Sequence, residues 1–240
     1  MIKKAVILAG GRGTRLLPAT KVTNKHLLPI YDRPMIFYPL DTLLSAGIRD
    51  ILVICGDEHA GDFAKLLGDG ADFGARFSFK IQRGAGGIAA ALAIAEDFAH
   101  GENLAVILGD NIFENDFSAA VRNFDGGAHI FLKKVPDPER FGVAEMAGKK
   151  VISLEEKPKN PKTNLAVTGF YLFDGSVFDK IKKCVPSARG ELEMVDVEKM
   201  FLAEKSLFAT EISKNWTDAG TPESFFRASA LAREMRKKSR

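Results

Sequence analysis

Short apolar runs alternate with stretches of helical pattern through the first half of the chain. Runs that are hydrophobic on both faces are typical of strands in a parallel sheet covered on both sides. The predicted strands are residues 5–9, 51–55, 77–82, 104–108 and 129–132. Because strand–helix–strand alternation implies right-handed crossovers, the pattern predicts an α/β fold with a Rossmann-like, doubly wound, mostly parallel mixed sheet.

Helical spacing connects these predicted strands. Pro34 stands where the first turn of a helix tolerates proline, apolar residues follow at helical spacing from Met35 to Leu44, and Gly47 ends the pattern. Two more helices are predicted over residues 61–67 and 87–98.

The second half of the chain follows a different pattern. Residues 143–146 and 151–154 flank Ala147-Gly148-Lys149-Lys150, which predicts a hairpin. A further strand is predicted over 167–173, and helices over 191–204 and 222–237. Thr221 is the candidate N-cap of the last helix, with Pro222 at its first position. Since no Ser/Gly-rich linker separates the halves, we expect one domain over residues 1–240 that shares a single sheet.

Composition narrows the class of protein. Of the 240 residues, 46% are hydrophobic and 27% are charged, which excludes wholesale disorder. The net charge of +3 is local, because the last eight residues carry five basic side chains and one acid. Basic charge that is not spread over a face argues against a nucleic-acid partner. We interpret this end as a solvated helix terminus, with attachment to an acidic surface as the alternative.

Cysteine and histidine spacing argues against a zinc site or a redox dithiol. Cys55 and Cys184 form no CxxC pair, and the four histidines give neither HxxxH nor HxH spacing. The apolar run at residues 5–9 is too short for a signal peptide, and the longest later run, 88–95, cannot span a bilayer. We therefore expect a cytoplasmic protein with no membrane partner.

A glycine-rich loop, Leu-Ala-Gly-Gly-Arg-Gly-Thr-Arg-Leu at residues 8–16, follows the first predicted strand. Glycines let backbone N–H groups approach a ligand, and successive N–H groups at such a junction form an anion-binding concavity. Arg12 and Arg15 add positive charge suited to phosphate. The spacing is neither GxxxxGK[ST] nor GxGxxG, which excludes a P-loop and disfavours a nicotinamide site. A tight turn with two solvated arginines is the alternative.

One acid is expected where an α/β sheet places its ligands. Asp110 follows the run 104–108 and Gly109, so it should lie at the carboxyl end of a parallel strand. A carboxylate there suits Mg²⁺, which binds few protein oxygens and several substrate phosphate oxygens. The alternative for Asp110 is a structural aspartate in a turn. Lys25, beside an apolar Leu-Leu-Pro step, is a second candidate, and its alternative is a solvated surface lysine.

A series of ordered motifs resembles the sugar nucleotidyltransferase family. The motifs are LAGGRGTRL (8–16), NKHLLP (24–29), RPMIFYPL (33–40), AGIRDILVI (46–54), LLGDG (66–70), LGDNIF (108–113), DPERFGVAE (137–145), LEEKP (154–158), AVTGFY (166–171), PSARGELE (186–193) and WTDAGT (216–221). The resemblance covers nearly the whole chain and is nearest to members that use dTTP and glucose 1-phosphate. It implies a Mg²⁺-dependent reaction that yields dTDP-glucose and pyrophosphate. It also implies a nucleotide-binding half, 1–135, and a sugar-phosphate-binding half, 136–240.

The resemblance also implies a role for each matching residue. Arg15 and Lys25 would bind the phosphates, and Lys157 would orient the sugar phosphate. The implied metal ligands are Asp110 and Asp218. The implied nucleotide contacts are Leu8, Gly10, Gly11, Gln82, Gly87 and Asp110, and the implied sugar contacts are Gly142, Glu156 and Val167. The Gln82 amide can pair with thymine or uracil, or flip to meet cytosine, so the choice among pyrimidines stays open.

Some positions depart from the longer members of this family. These are His26, Phe141 and the segment Ala85-Gly86-Gly87-Ile88, variants that a short subgroup shares. The chain also ends where longer members continue into a helical subdomain. We therefore do not expect their regulatory nucleotide site or their tetramer, and we expect a homo-oligomer of unspecified size.

Three other functions remain as alternatives. The first is the same chemistry with UTP or CTP. The second is a non-catalytic nucleotide-sugar sensor, against which the filled phosphate and metal positions argue. The third is a nicotinamide-dependent dehydrogenase.

Overall fold

Both halves of the chain contribute strands to one sheet in the computed structural model, which describes residues 1–84 and 86–238. The strands are β1 (Lys4–Ala9), β2 (Pro29–Ile30), β3 (Arg33–Pro34), β4 (Asp50–Gly56), β5 (Arg76–Gln82), β6 (Leu104–Leu108), β7 (Asn111–Phe113), β8 (Ala128–Lys134), β9 (Gly142–Ala147), β10 (Lys150–Glu156), β11 (Leu165–Phe173), β12 (Leu207–Glu211) and β13 (Trp216–Asp218). The helices are α1 (Phe37–Ser45), α2 (Ala60–Leu67), α3 (Ile88–Ala93), α4 (Glu96–Ala99), α5 (Ser118–Asn123), α6 (Val177–Ile181), α7 (Met194–Ala203) and α8 (Pro222–Lys238).

The main sheet has nine strands among the described residues, in the order β10-β9-β11-β6-β1-β4-β5, with β8 beside β11 and β12 beside β8. The centre is parallel, with Leu8 of β1 opposite Ile54 of β4 on one side and Leu108 of β6 on the other. Strand β11 runs antiparallel to β6, where the added strands of the second half begin. The predicted α/β class with a mostly parallel mixed sheet is confirmed.

Helices cover both faces of this sheet. Alternate residues of the central strands are buried on opposite sides, so that Val6 and Leu52 face α3, α6 and α7. Residues such as Ile7 and Val53 face α1, α2 and α5. Fully burying each such side chain contributes about 1.5–3 kcal/mol relative to an exposed one. This two-sided burial explains why the central strands have no polar face.

The run predicted over residues 129–132 does form a strand, but not as part of the parallel centre. It lies within β8, which is antiparallel to β11 and parallel only to the edge strand β12. A strand buried on both faces has the same composition in either direction, so its apolar pattern could not distinguish the two pairings.

Two helix predictions in the first half were wrong in detail. Pro34 does not begin α1, because Arg33 and Pro34 pair with Ile30 and Pro29 in a two-stranded hairpin, and the helix begins at Phe37. The helix predicted over 87–98 is divided into α3 and α4. The carbonyl of Ile94, at this break, accepts a hydrogen bond from the Lys80 ammonium at 3.0 Å.

The elements predicted for the second half are confirmed with shifted ends. Strands β9 and β10 form the expected hairpin, and α7 begins at Met194 rather than at 191. The Thr221 hydroxyl accepts from the Ser224 amide at 3.2 Å, as expected of an N-cap. None of the helices within the described ranges is long and apolar enough to cross a membrane.

Candidate active site

Two acids from distant parts of the chain meet at the carboxyl edge of the parallel strands. Asp110 follows β6, and Asp218 is the last residue of β13, which pairs antiparallel with β7. The Ala219 amide donates to the Asp110 carbonyl at 2.9 Å. A Cβ built on Gly220 would lie 3.1 Å from Asp218 Oδ2, 3.5 Å from Asp110 Oδ2 and 3.0 Å from Arg15 Nη2. Because glycine at 220 has no side chain, both carboxylates and the Arg15 guanidinium lie close together beside it.

Asp110 is a buried carboxylate with a partner on each oxygen. The Lys25 ammonium donates to Oδ2 at 2.5 Å, and the side-chain amide of Asn111 donates through Nδ2 to Oδ1 at 2.9 Å. Burial by itself would raise the pKa of Asp110, but the positive charge of Lys25 and these hydrogen bonds outweigh it and hold the pKa well below its usual range. Asp110 is therefore ionised at neutral pH.

Asn111 connects the parts of the site and was not singled out from the sequence. Its side-chain oxygen accepts from the Gly169 amide at 3.0 Å and from Trp216 Nε1 at 2.7 Å. Since its amide also donates to Asp110, this 2%-exposed side chain ties β11 and β13 to the acid. The only sequence signal for Asn111 is its position directly after Asp110.

Asp218 is paired with a second cation that the sequence analysis did not assign. Arg140 Nη2 donates to Asp218 Oδ2 at 2.8 Å, and Arg140 Nη1 donates to Asp137 Oδ2 at 2.7 Å. The same Asp218 oxygen accepts from the Gly220 amide at 3.3 Å. Each acid of the site is thus paired with its own cation.

The glycine-rich loop carries unpaired positive charge. Within the described ranges, Arg12 and Arg15 make no hydrogen bond and no ion pair, and both are exposed. The side-chain amide of Gln82, at the end of β5, packs against the Gly10 backbone, where any Cβ would collide with it. A Cβ on Gly11 would lie 3.6 Å from Lys25 Cε, so Gly11 borders the same cation that pairs with Asp110.

A hydrogen bond connects the start of the glycine-rich loop to the residue that follows β6. The Leu8 carbonyl accepts from the Gly109 amide at 2.9 Å, and a Cβ on Gly109 would lie 2.7 Å from His26 Cδ2. His26 is buried, and Nδ1 of its ring bonds the Asn24 side-chain oxygen at 2.7 Å. Burial, aided by the charge of Lys25, lowers the pKa of His26 to about 3, so this ring is neutral and packs as a structural group.

The residues expected on the sugar side also lie together. A Cβ on Gly142 would lie 3.4 Å from Glu156 Oε2 and 3.6 Å from Val167 Cγ2. Burial raises the pKa of Glu156, while the charges of Lys157 and Arg189 oppose that rise. Arg189 Nη2, unassigned from the sequence, donates to Glu156 Oε1 at 3.1 Å.

Lys157 stands at a bend directly after β10. Its φ of 44° lies in the left-handed region, and its amide donates to the Phe141 carbonyl at 2.9 Å. Its Nζ lies 3.4 Å from Glu156 Oε1 and the side chain is 43% exposed, so the ammonium is accessible to a ligand.

The segment around Gly87 packs against Leu192 in the second half of the chain. The φ of Gly87, 91°, is left-handed, and a Cβ there would lie 2.5 Å from the Leu192 carbonyl oxygen. Around it, the Leu192 amide donates to the Gly86 carbonyl at 2.8 Å, and the Ala89 amide donates to the Leu192 carbonyl at 3.2 Å. Ala85, the first residue of the variant segment, lies outside the described residues.

Comparison with known proteins identifies the family of the chain. The family model for nucleotidyl transferases matches residues 4–235. A glucose-1-phosphate thymidylyltransferase of Neisseria meningitidis serogroup A is 44% identical over 97% of this chain and 83% of its own length. One from Actinoplanes is also 44% identical, over 94% of this chain and 76% of its own length.

Solved structures show the same fold. A proposed glucose-1-phosphate thymidylyltransferase of Bacillus anthracis, in complex with sucrose, is 51% identical and superposes with a TM-score of 0.92 over 96% of this chain and 95% of its own. A UDP-glucose pyrophosphorylase complexed with UDP-glucose, 24% identical, shares the fold with a TM-score of 0.85 over 98% of this chain and 99% of its own. With a family match along nearly its whole length and relatives above 40% identity, the chain belongs to the nucleotidyl transferase family.

Proposed function

We propose that this protein transfers a thymidylyl group from dTTP to α-D-glucose 1-phosphate, giving dTDP-glucose and pyrophosphate. The names of its relatives support the choice of substrates. The observation that carries the proposal is the point at Gly220, which Asp110, Asp218 and Arg15 face together at the carboxyl edge of the sheet. Nucleotide ligands bind at this edge in α/β folds.

The chemistry needs positioning and charge more than proton transfer. A phosphate oxygen of glucose 1-phosphate attacks the α-phosphorus of dTTP, one P–O bond forms, and the bond to the leaving pyrophosphate breaks. The attacking oxygen is already an anion, so no general base is required. The main obstacle is the approach of two polyanions, which fixed cations reduce. Arg15, Lys25 and Lys157 are the side chains proposed for that purpose.

The two acids fit a divalent cation. Within the described part of the chain no group of three or more His, Cys, Asp or Glu residues could hold a metal, so a site built of acids has two at most. That donor set suits Mg²⁺, which binds through one or two carboxylates and completes its shell with substrate phosphates and water. We propose that Asp110 and Asp218 hold it. When bound, Mg²⁺ would neutralise charge on the phosphate oxygens.

The remaining site residues are proposed to select the base and the sugar. Leu8, Gly10, Gly11, Gln82 and Gly87 would contact the base and nucleoside, since Gln82 already lies across Gly10. Gly142, Glu156 and Val167 would contact the sugar, with the Glu156 carboxylate accepting from its hydroxyl groups. The Lys25 ammonium, now paired with Asp110, would be shared with the incoming phosphate.

We further propose that residues 1–240 act as one domain, with a nucleotide-binding half at 1–135 and a sugar-phosphate-binding half at 136–240. The shared sheet and the Gly86–Leu192 contact support this view. A cytoplasmic homo-oligomer that binds neither nucleic acid nor membrane remains our proposal. The free Cys55 and Cys184 thiols support its cytoplasmic location.

A substrate panel tests the proposed reaction. Purified protein would be incubated with glucose 1-phosphate, Mg²⁺ and each of dTTP, UTP, CTP and ATP, and pyrophosphate release would be measured. We expect the highest kcat/KM with dTTP. A preference for UTP or CTP would overturn the base assignment. Tight dTDP-glucose binding without pyrophosphate release would instead identify a sensor, and NAD(H) binding would favour a dehydrogenase.

A methyl group added at Gly220, between the two acids, should slow the reaction strongly. In Gly220→Ala, the new Cβ would lie close to Asp218, Asp110 and the flexible end of Arg15. We expect kcat to fall about 10²-fold, as for small misplacements of reacting groups, with the fold retained, because the crowded atoms are ends of side chains that can shift. Kinetics and thermal unfolding measure both.

The matched control for this variant is Gly61→Ala, in α2, where an added Cβ meets nothing within 4 Å. We expect that control to keep full activity and to gain roughly 0.5–1 kcal/mol of stability. Normal turnover in Gly220→Ala would show that the groups beside Gly220 do not take part in the reaction.

A further inference from the structure

Arg140 lies between two aspartates with its guanidinium in a fixed plane. It donates to Asp137 through Nη1 and to Asp218 through Nη2, at 2.7 and 2.8 Å. The guanidinium carbon lies 4.9 Å from the centre of the Phe141 ring, and the side chain is 22% exposed. A planar guanidinium that donates hydrogen bonds through both Nη atoms and packs on an aromatic ring has little freedom to rotate.

The hydrogen bonds at Asp218 are confined to one of its two oxygens. Oδ2 accepts from Arg140, from the Gly220 amide at 3.3 Å and from the Ser224 hydroxyl at 3.4 Å. Oδ1 has no hydrogen-bond partner within the described ranges, and it is not among the buried unpartnered atoms. The carboxylate is therefore held by one oxygen while the other is free to bind a ligand.

Two residues of helix α8 hold the aspartates that Arg140 bonds. Ser224, fully buried in its first turn, bonds Asp218 directly. One turn later, Arg227 Nη2 lies 3.5 Å from Asp137 Oδ2, the oxygen that also accepts from Arg140. Asp137 thus has a cation on each side, which holds it in place as the outer anchor of Arg140.

We propose that Arg140 is a positioning residue that orients the Asp218 carboxylate, committing Oδ2 and leaving Oδ1 for the divalent cation. This inference rests on the proposed function, because it takes Asp218 as a metal ligand. Metal-binding carboxylates are commonly hydrogen-bonded by outer groups, and loss of such a group typically costs about 10–100-fold in metal affinity or activity. Arg140 provides that outer contact here.

Mn²⁺ binding separates this role from a purely structural one. Free Mn²⁺ would be followed by EPR during titration of the protein with saturating dTDP-glucose, for the parent, Arg140→Ala, Arg140→Lys and Asp137→Asn. We expect the Mn²⁺ dissociation constant to rise about tenfold or more in Arg140→Ala. Arg140→Lys should be intermediate, because one ammonium cannot bond both aspartates in a fixed plane. Asp137→Asn should show a smaller rise, since Arg140 remains but is less restrained.

Free guanidinium added to Arg140→Ala should restore part of its Mn²⁺ affinity, which it would not do if the variant were merely misfolded. Millimolar guanidinium should lower the Mn²⁺ dissociation constant of Arg140→Ala and leave that of the parent unchanged. The matched control is Arg76→Ala, which removes a guanidinium paired with Asp50 at the far edge of the sheet and should not affect Mn²⁺ binding. Should Arg140→Ala fail to fold, Arg140→Lys and Asp137→Asn decide the question by the same measurement.

The outcomes distinguish this inference from the proposed function. If the parent with dTDP-glucose binds no Mn²⁺, the proposed metal site itself is wrong. If the parent binds Mn²⁺ and the Arg140 variants bind it equally well, only the role of Arg140 is wrong. Tighter binding in Arg140→Ala would also overturn the inference, because it would identify Arg140 as a competitor of the metal.

Discussion

Replacing Asp110 with asparagine should lower kcat by about two to three orders of magnitude. The loss corresponds to one charged group of a preorganised site, for which about 10²–10³ is typical. Asp110 is held ionised by the ammonium of Lys25 and by the amide of Asn111, so a neutral amide removes the negative charge on which metal binding depends. The amide oxygen can still accept from Lys25, and we therefore expect the fold to be retained.

Steady-state pyrophosphate release at several Mg²⁺ concentrations, together with thermal unfolding, measures this effect. The matched control is Asp125→Asn, an exposed aspartate with no side-chain partner among the described residues, which should behave like the parent. Near-normal turnover of Asp110→Asn at limiting Mg²⁺ would contradict the metal assignment. Loss of folding instead would mean that Asp110 is chiefly a structural partner of Lys25.

Replacing Glu198 with glutamine should make the protein more stable at alkaline pH. Glu198 lies in α7 with no exposed surface, and neither of its oxygens has a hydrogen-bond partner. Burial, reinforced by the negative charge of Glu156, raises the pKa of Glu198 from 4.5 to about 8. The carboxyl is therefore protonated in the folded protein at neutral pH and ionised in the unfolded chain.

The direction of the pH effect follows from that difference. Below about pH 4.5 both states hold the proton, and Glu198 has no influence on the pH dependence of stability. Between pH 4.5 and about 8 only the unfolded chain releases the proton, so the free energy of unfolding falls as the pH rises. Since glutamine does not titrate, the stability advantage of Glu198→Gln should grow across this window by up to about 1.4 kcal/mol per pH unit.

Urea unfolding at intervals of about one pH unit, from roughly pH 5 to roughly pH 8, would measure the difference in the free energy of unfolding between parent and variant. Glu58→Gln is the matched control, because Glu58 is exposed and its side chain has no partner within the described ranges. That control should show the parent's pH dependence. A Glu198→Gln curve parallel to the parent's would show that Glu198 is ionised in the folded protein.

The regular elements could be predicted largely from local pattern. Strands β1, β4 and β6 were located because buried parallel strands are apolar over most of their length, and α8 because Thr221 and Pro222 mark its start. The edge strand β5 was also located, although only Phe77 in it is buried. The errors arose where contacts with other elements, and not the local pattern, determine the secondary structure. Pro34 joined a hairpin, and the helix expected over 87–98 was divided where Lys80 bonds the Ile94 carbonyl.

The sequence named several residues that the structure brings together, but it did not indicate the contacts between them or the parts played by Asn111 and Arg140. Motifs singled out Asp110, Asp218, Arg15 and Lys25 because each motif keeps its residues at fixed short spacing. Neither the Lys25–Asp110 pair nor the hydrogen bonds of Asn111 has such a signal, since each joins residues far apart in the chain.

The sequence by itself determined the α/β class and the central strands, and its motifs named Asp110, Asp218, Arg15 and Lys25 as candidate site residues. Only the tertiary structure decided that both acids face one point beside Gly220 and that Arg140 holds Asp218 by a single oxygen. The physical reason is that apolar periodicity records which side of an element is buried. The antiparallel pairing of β7 with β13 depends instead on backbone hydrogen bonds between segments about 105 residues apart, which every residue type except proline can form.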